Sequence, residues 1–494
     1  MVCYLYTIIL IVQIFIKDYR RKDTLEKKQL IIIGAGPGGY AAAFLAADLG
    51  INVTLIDKEK NPGGVCLYRG CIPSKALLHA AELITSAEDA VSFGINFGKP
   101  SIDLDKLRSW KNEVVIKLTS GLGQLTKQRK IDYLQGTAKF LSNDRIEVLC
   151  NDGSLKQFEF ENAIIATGSS VTNFPGLNLN SDKLLDSTSA LEIKDIPGSM
   201  LVIGGGYIGL ELGTVYASLG TKVSVVEMLP RILSGADPDL AAVLQKSLVK
   251  KFASIMTDTK VKAIVEKGKA LLVSLEDKDK KSFDLEFDKV MVSIGRRPDT
   301  KGLGIENTDV KLDPKGFVLT DISRRSSVKN IFAIGDIAGE PMLAHKASHE
   351  GRVAVEVIHG MKAAFEPKAI PAVVFTDPEV AWAGITETEA KEKNIKHSIM
   401  KFPWAASGRA MTLGRTDGLT KLIIDPDTER ILGVGIVGSR AGDLISEGVL
   451  AIEMGANATD LKLTIHPHPT LSETLMESAE MFFGQSTHIY RPKK

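Results

Sequence analysis

The sequence predicts an α/β protein with two Rossmann-like dinucleotide-binding domains followed by a C-terminal α+β domain. Three observations carry that prediction. The run QLIIIGAGPGGYAAAFLAADLG, followed by NVTLID, reads as buried strand, glycine turn, helix and second strand, ending on Asp57. The run SMLVIGGGYIGLELGTVYASLG, followed by KVSVVE, repeats that order and ends on Glu227. From Ala369 onward, apolar runs (PAVVFT, LTKLIID, ILGVGIVG) alternate with helical segments, as in an α+β domain.

The two repeats justify each other. A lone GxGxxG is weak evidence. Here Gly34, Gly36 and Gly39 are followed by Asp57, and Gly204, Gly206 and Gly209 by Glu227, each acid 23 residues after the first glycine. That offset is close to the spacing expected of a dinucleotide-binding unit. The first glycine permits the tight turn, the second lets backbone approach a pyrophosphate, and the third allows close helix–strand packing. The pyrophosphate then meets free N–H groups at the positive end of a helix. The acid accepts hydrogen bonds from ribose hydroxyls and repels a 2′-phosphate. Glu227 therefore predicts NAD rather than NADP, and Met228 and Leu229 add no arginine, although Arg231 lies four residues on.

Downstream of the first repeat stands GGVCLYRGCIPSK, Gly63 to Lys75, with four residues between Cys66 and Cys71. Only Cys3 and Cys150 are added elsewhere, so the pair is no part of a structural disulfide framework. Two buried thiols on one helix is the bland reading. The neighbouring dinucleotide fingerprint favours thiol–disulfide chemistry coupled to a redox cofactor.

Three further runs, ENAIIATGS (161–169), KVMVSIGRRPDT (289–300) and NIFAIGDIAGEPMLAHKASHEG (330–351), each lead an apolar strand into a glycine turn. The charged stretch from Glu276 to Lys281 reads as a solvated hairpin turn. Near the C-terminus, HPHPTLSE spans His466 to Glu473. A His–Glu pair five apart usually has no catalytic meaning on its own.

Composition bounds the partners. A chain of 494 residues has room for two to four domains. Lys+Arg 61 against Asp+Glu 60 gives a net charge of +1, which argues against nucleic acid or anionic lipid as the main partner. Sparse cysteine fits a reducing compartment, and a cytoplasmic location is expected. No metal site is expected. The N-terminal extension, 1–27, carries an apolar run from Met1 to Ile16 and then Lys17, Arg20, Arg21 and Lys22. Sixteen helical residues reach roughly 24 Å, short of a bilayer core of about 30 Å. The run lacks the features of a secretory or mitochondrial leader. Two readings stand: a weak membrane anchor, or upstream sequence from a misplaced start, the second being preferred. No methionine occurs between Met1 and Met200.

GGVCLYRGCIPSK and HPHPTLSE together resemble the flavoprotein disulfide reductases, the dihydrolipoamide-oxidising branch in particular. The resemblance runs from about Lys28 to the C-terminus. One departure is Tyr68-Arg69, where an Asn-Val pair is usual. The resemblance implies FAD and NAD as cofactors and a homodimer. It also implies lipoyl domains of 2-oxo-acid dehydrogenase or glycine cleavage complexes as partners. It divides the chain into an FAD-binding domain at 28–172 and 300–368, an NAD-binding domain at 173–299 and an interface domain at 369–494.

Carried over motif by motif, Cys66 and Cys71 are the redox pair, His468 is the base and Glu473 orients it. An imidazole suits that task, since its usual pKa of about 6.5 lies near working pH. In the family the histidine reaches the cysteines of the other subunit. Lys75 and Glu211 pair near the flavin's reactive nitrogen, and Asp336 binds the ribityl chain. Further cofactor contacts are implied at Lys58, Gly64, Val65, Gly136, Thr167, Gly168 and Ser169. Others follow at Val261, Gly295, Arg296, Met342, Leu343 and Ala344. Glutathione-type relatives carry arginines near the position of Glu227, and mercuric reductases add a C-terminal cysteine pair. Neither feature is present here. A catalytically idle flavoprotein scaffold has no need of both the cysteine pair and the octet.

Overall fold

The computed structural model describes residues 25–172, 174 and 179–490. The apolar run of the N-terminal extension lies outside the described residues. The chain forms two compact units, one from residues up to 64 with 119–170 and 297–365, the other from 65–118, 171–296 and the remainder from 366.

In the first unit, Leu30, Ile31, Ile32 and Ile33 are all buried. Ile31 and Ile33 enter one core while Leu30 and Ile32 enter another on the opposite face. A strand that is apolar on both faces belongs in the middle of a parallel sheet. Accordingly, Glu26–Ile33 lies between Val53–Asp57 and Leu155–Ile165, parallel to both. Asp132–Phe140 and Ile331–Ala333 extend that parallel sheet at its two sides. Arg145–Cys150 pairs antiparallel with both Asp132–Phe140 and Leu155–Ile165. Helix Pro37–Asp48 follows the first glycine turn and starts on proline, whose fixed φ suits a first helical position.

The second unit holds a five-stranded parallel sheet in the order Ser254–Met256, Lys222–Val226, Ser199–Ile203, Lys289–Val292, Leu184–Leu185. A meander of Lys260–Lys267, Ala270–Glu276 and Ser282–Phe287 joins it. The charged stretch after Glu276 is the turn of its second hairpin, as expected. The C-terminal segment forms an antiparallel sheet of five strands, Ala372–Val374, Glu379–Gly384, Ile431–Gly438, Leu419–Ile424 and Ser398–Pro403. Helices Ala441–Met454 and Glu473–Phe482 accompany it, which makes the expected α+β domain.

Residues 65–118 fall outside the first unit. They cluster with the second unit. Leu77 and Leu78, on helix Cys71–Asp89, share a core with Leu210, Leu212 and Tyr216 of helix Tyr207–Ser218. Helix-to-helix apolar burial decides the grouping.

One ionic cluster braces the second unit. Lys421 is fully buried, and its Nζ lies 2.9 Å from Asp237 Oδ2, 3.1 Å from Asp239 Oδ2 and 2.6 Å from Glu387 Oε2. The ammonium occupies the place among these carboxylates that a metal ion would need. Asp237 also accepts the backbone N–H groups of Glu387 and Thr388, which open helix Glu387–Glu392. Removing one partner of a buried ion cluster leaves charge uncompensated. Lys421→Met therefore lowers the urea unfolding midpoint by an amount equivalent to about 3–5 kcal/mol. An unchanged midpoint would show that the carboxylates find other compensation. Among the described residues, no helix is long and apolar enough to cross a membrane.

Candidate active site

Both glycine turns form at the carboxyl ends of parallel strands, where ligands of open α/β sheets bind. Gly34 has φ +101 and Gly204 φ +105, a region that side chains with a Cβ avoid. A Cβ on Gly39 would come 1.8 Å from Gly34 O, and one on Gly209 would come 2.4 Å from Gly204 O. The third glycine of each motif is thus required by helix–turn packing. By contrast, a Cβ on Gly206 would meet nothing within 4 Å, and one on Gly36 only Gly64 Cα at 3.9 Å. Helices Pro37–Asp48 and Tyr207–Ser218 begin there without a side-chain cap. Helix starts of this kind suit a phosphate, because no side chain competes for the first-turn N–H groups.

The two terminal acids behave alike. Asp57 accepts from Ala35 N at 2.7 Å and from Glu59 N at 2.9 Å. Glu227 accepts from Gly205 N at 2.6 Å and from Leu229 N at 2.8 Å. Each carboxylate braces its own turn and keeps further lone pairs for ribose hydroxyls. The Arg231 guanidinium donates to Ser234 O at 3.1 Å in its own loop.

Around the first glycine turn the structure gathers several expected contacts. Gly64 packs on Gly36, where a Cβ on Gly64 would come 2.5 Å from Gly36 Cα. Ala166 N donates to Ile33 O, and Ile334 N to Ile165 O, so three strand ends lie side by side. Thr167 Oγ1 donates to Asp299 O at 3.0 Å, and Asp299 N donates to Gly168 O at 3.0 Å. The Ser169 hydroxyl donates to the Asp336 carboxylate. Leu343, after Met342, is the extended residue before helix Ala344–Ile358. The Lys58 carbonyl accepts from Asn151 Nδ2 at 2.9 Å, and Gly136 stands opposite Cys150 in the sheet.

In the second unit, a Cβ on Gly204 would meet Ser293 O at 2.5 Å, two residues before Gly295 and three before Arg296. Val261 lies on the meander instead, just after Thr259, whose N–H donates to Glu227 O at 3.0 Å.

The thiols stand on consecutive helices. Cys66 and Val65 belong to Gly64–Arg69, and Cys71 opens Cys71–Asp89. Cys66 is half-buried, Cys71 is exposed, and both are free thiols. Their pKa values are displaced in opposite directions. A hydrogen bond from the Cys66 thiol holds the Cys71 thiol below its usual pKa, and the Lys75 ammonium adds to the effect. The same hydrogen bond and burial push Cys66 up. Of the two, Cys71 is the sulfur that ionises first.

Lys75 Nζ pairs with Glu211 Oε2 at 2.6 Å, and Ser74 Oγ donates to the same oxygen at 3.1 Å. Phe375 N donates to Glu211 Oε1 at 3.0 Å. Elsewhere in the unit, His468 Nδ1 donates to Glu473 Oε1 at 2.8 Å, and Thr470 N donates to Glu473 Oε2 at 2.8 Å. That arrangement leaves Nε2 as the basic nitrogen on a side chain that is 74% exposed. His466 is the structural member, with its side chain almost wholly buried and Nε2 bonded to Glu447 at 2.7 Å.

Residues 28–351 match the pyridine nucleotide-disulphide oxidoreductase domain, and residues 370–479 match the dimerisation domain of the same family. The chain belongs to the pyridine nucleotide-disulphide oxidoreductase family. As a member it is an oxidoreductase that uses FAD and NAD and forms a homodimer through its C-terminal sheet domain. It is 47% identical to the dihydrolipoyl dehydrogenase of Vibrio cholerae over 94% of this chain and 98% of that one. It is 45% identical to that of Geobacillus stearothermophilus over 94% and 98% of the two chains. Among solved structures, the HOCl-induced flavoprotein disulfide reductase RclA of Escherichia coli matches with a TM-score of 0.82 at 27% identity, over 92% of this chain and 100% of that one. LpdA from Mycobacterium tuberculosis, at 24% identity, shares the fold with a TM-score of 0.85.

Sequence reasoning missed three supporting residues: Ser74 and Phe375, which hold Glu211, and Glu350. Glu350 is fully buried, accepts Gly335 N at 2.6 Å and pairs with Arg324 and Lys346 at 3.0 Å each. It holds the turn that presents Asp336. Only the i,i+4 spacing of Lys346 and Glu350 hinted at it.

Proposed function

We propose that this family member oxidises protein-bound dihydrolipoamide to lipoamide and reduces NAD⁺ to NADH. The observation that carries the reading is the close pair of free thiols, Cys66 and Cys71, in the same chain as a His–Glu base with an exposed imidazole. His468 takes a proton from one thiol of dihydrolipoamide. The resulting thiolate attacks the Cys66 sulfur of the Cys66–Cys71 disulfide, and that S–S bond breaks with Cys71 leaving as thiolate. A low pKa makes Cys71 the better leaving group. The second substrate thiol, once deprotonated, attacks the substrate sulfur of the mixed disulfide. Lipoamide departs and Cys66 keeps the electron pair of the broken bond, its raised pKa favouring the protonated thiol. Bound FAD supplies the redox relay that carries two electrons from the dithiol to NAD⁺. Gly34, Gly36, Gly39, Asp57, Ser169 and Asp336 fit the flavin nucleotide, and Gly204, Gly206, Gly209 and Glu227 fit NAD. The macromolecular partners are lipoyl domains of 2-oxo-acid dehydrogenase or glycine cleavage complexes. They would carry the dithiol on a swinging arm to the exposed His468.

Steady-state turnover of dihydrolipoamide with each nucleotide tests the reading. Because Glu227 repels a 2′-phosphate, kcat/KM favours NAD⁺ over NADP⁺ by at least roughly 100-fold, about 2.7 kcal/mol. Equal efficiency would remove Glu227 as the determinant, and no turnover with either nucleotide would sink the proposed activity.

A further inference from the structure

The Lys75–Glu211 pair has a third member that the proposed chemistry does not use. Phe375 follows strand Ala372–Val374 and meets the pair where helices Cys71–Asp89 and Tyr207–Ser218 pack together. Its ring centroid lies 4.6 Å from Lys75 Nζ, well inside cation–π range. Its peptide N–H holds Glu211 Oε1, while Ser74 and Lys75 share Oε2. Glu211 is only 3% exposed, so the carboxylate is fixed from both sides.

A lysine ammonium on a four-carbon stem is a mobile point charge. One salt bridge leaves it free to swing about its acceptor. A second contact from the ring face restricts that motion. We infer that Phe375 is a positioning residue, whose ring holds the Lys75 ammonium where it favours the thiolate of Cys71. The inference rests on the role proposed above for Cys71.

Among the described residues of one chain, the charged and titratable groups acting on Cys71 are few. The Cys66 thiol and Lys75 lower its pKa, whereas Glu211 raises it. The sign of the ring's effect follows. Loss of the ring lets the ammonium drift from the sulfur while the Glu211 carboxylate stays anchored by backbone. The thiolate then faces more negative charge and its pKa rises. The substitution leaves the Phe375 peptide N–H in place, so only the ring contact is removed. With Phe375 already 37% exposed as a residue, little core packing is lost.

The test is the pH profile of Cys71 alkylation by iodoacetamide, in FAD-loaded protein that carries Cys66→Ser as the parent. Mass spectrometry of the labelled peptide assigns the reaction to Cys71. Phe375→Leu and Phe375→Met should each move the profile up by about half a unit, a roughly threefold slower labelling at pH values below the midpoint. Phe375→Tyr keeps an aromatic face and should superimpose on the parent. Lys75→Met should shift the profile at least as far as loss of the ring. Profiles unmoved by Leu and Met, a Tyr variant that shifts as far as Leu, or a Lys75→Met profile that stays with the parent would each overturn the inference. Turnover of dihydrolipoamide by the wild-type protein is scored separately. Its absence would defeat the proposed activity while the labelling profiles still decide the role of Phe375.

Discussion

Serine at either Cys66 or Cys71 reduces dihydrolipoamide turnover by more than about 10⁴-fold, because neither half of a two-sulfur exchange proceeds alone. The two variants should differ in a second respect. Cys66→Ser keeps a hydroxyl that can donate to Cys71 and keeps Lys75, so Cys71 remains a thiol of low pKa. Iodoacetamide then labels it rapidly at pH 7. Cys71→Ser removes the partner that most raises Cys66, yet burial still opposes its thiolate. Labelling of Cys66 at pH 7 is therefore slow and accelerates only at alkaline pH. Both variants retain FAD, since the glycine turn, Asp57 and Asp336 are untouched. Equal labelling of the two at pH 7 would contradict the assignment of Cys71 as the thiolate. Normal turnover by either would mean that the pair is not the redox centre.

How much of this was legible in the sequence depends on how local each cause is. Gly34 and Gly204 were legible because a positive φ is a property of one residue and its turn. Gly39 and Gly209 were legible because their clash partners lie five residues away on the same chain segment. The spacing of Cys66 and Cys71 was equally local, and so was the contact of His468 with Glu473. The same holds for the meander turn after Glu276. What could not be read were contacts assembled from distant segments. Nothing near Phe375 announces that it would meet Lys75 and Glu211, 300 and 164 residues away in the chain. Glu350 resembles any helical acid until Gly335 and Arg324 are found around it. The grouping of residues 65–118 with the second unit also depends on which helix the Leu77–Leu78 face meets. Periodicity marks that face as apolar without naming its partner.

His468→Gln should lower lipoamide turnover by about 10²–10⁴-fold, the usual range for a positioned base. Glutamine keeps a polar group near Glu473 but takes no proton from a thiol. Electron transfer from NADH to an artificial acceptor that is reduced directly by flavin persists, because no thiol need be deprotonated. Loss of both reactions together would point to a folding or cofactor defect instead. Glu473→Gln gives a smaller defect of the same kind. Its amide oxygen still accepts from His468 Nδ1, but it no longer opposes the positive charge that forms on the imidazole. A base that works across the dimer, as the resemblance implies, makes a stronger test available. Cys66→Ser and His468→Gln subunits are each inactive alone, and in a mixed dimer one of the two sites combines both wild-type residues. Random exchange makes about half of the dimers mixed, so roughly a quarter of all sites recover. Turnover should rise towards that fraction of wild type as subunits exchange, followed with differently tagged chains. Full exchange without any recovery would place Cys66 and His468 in one chain.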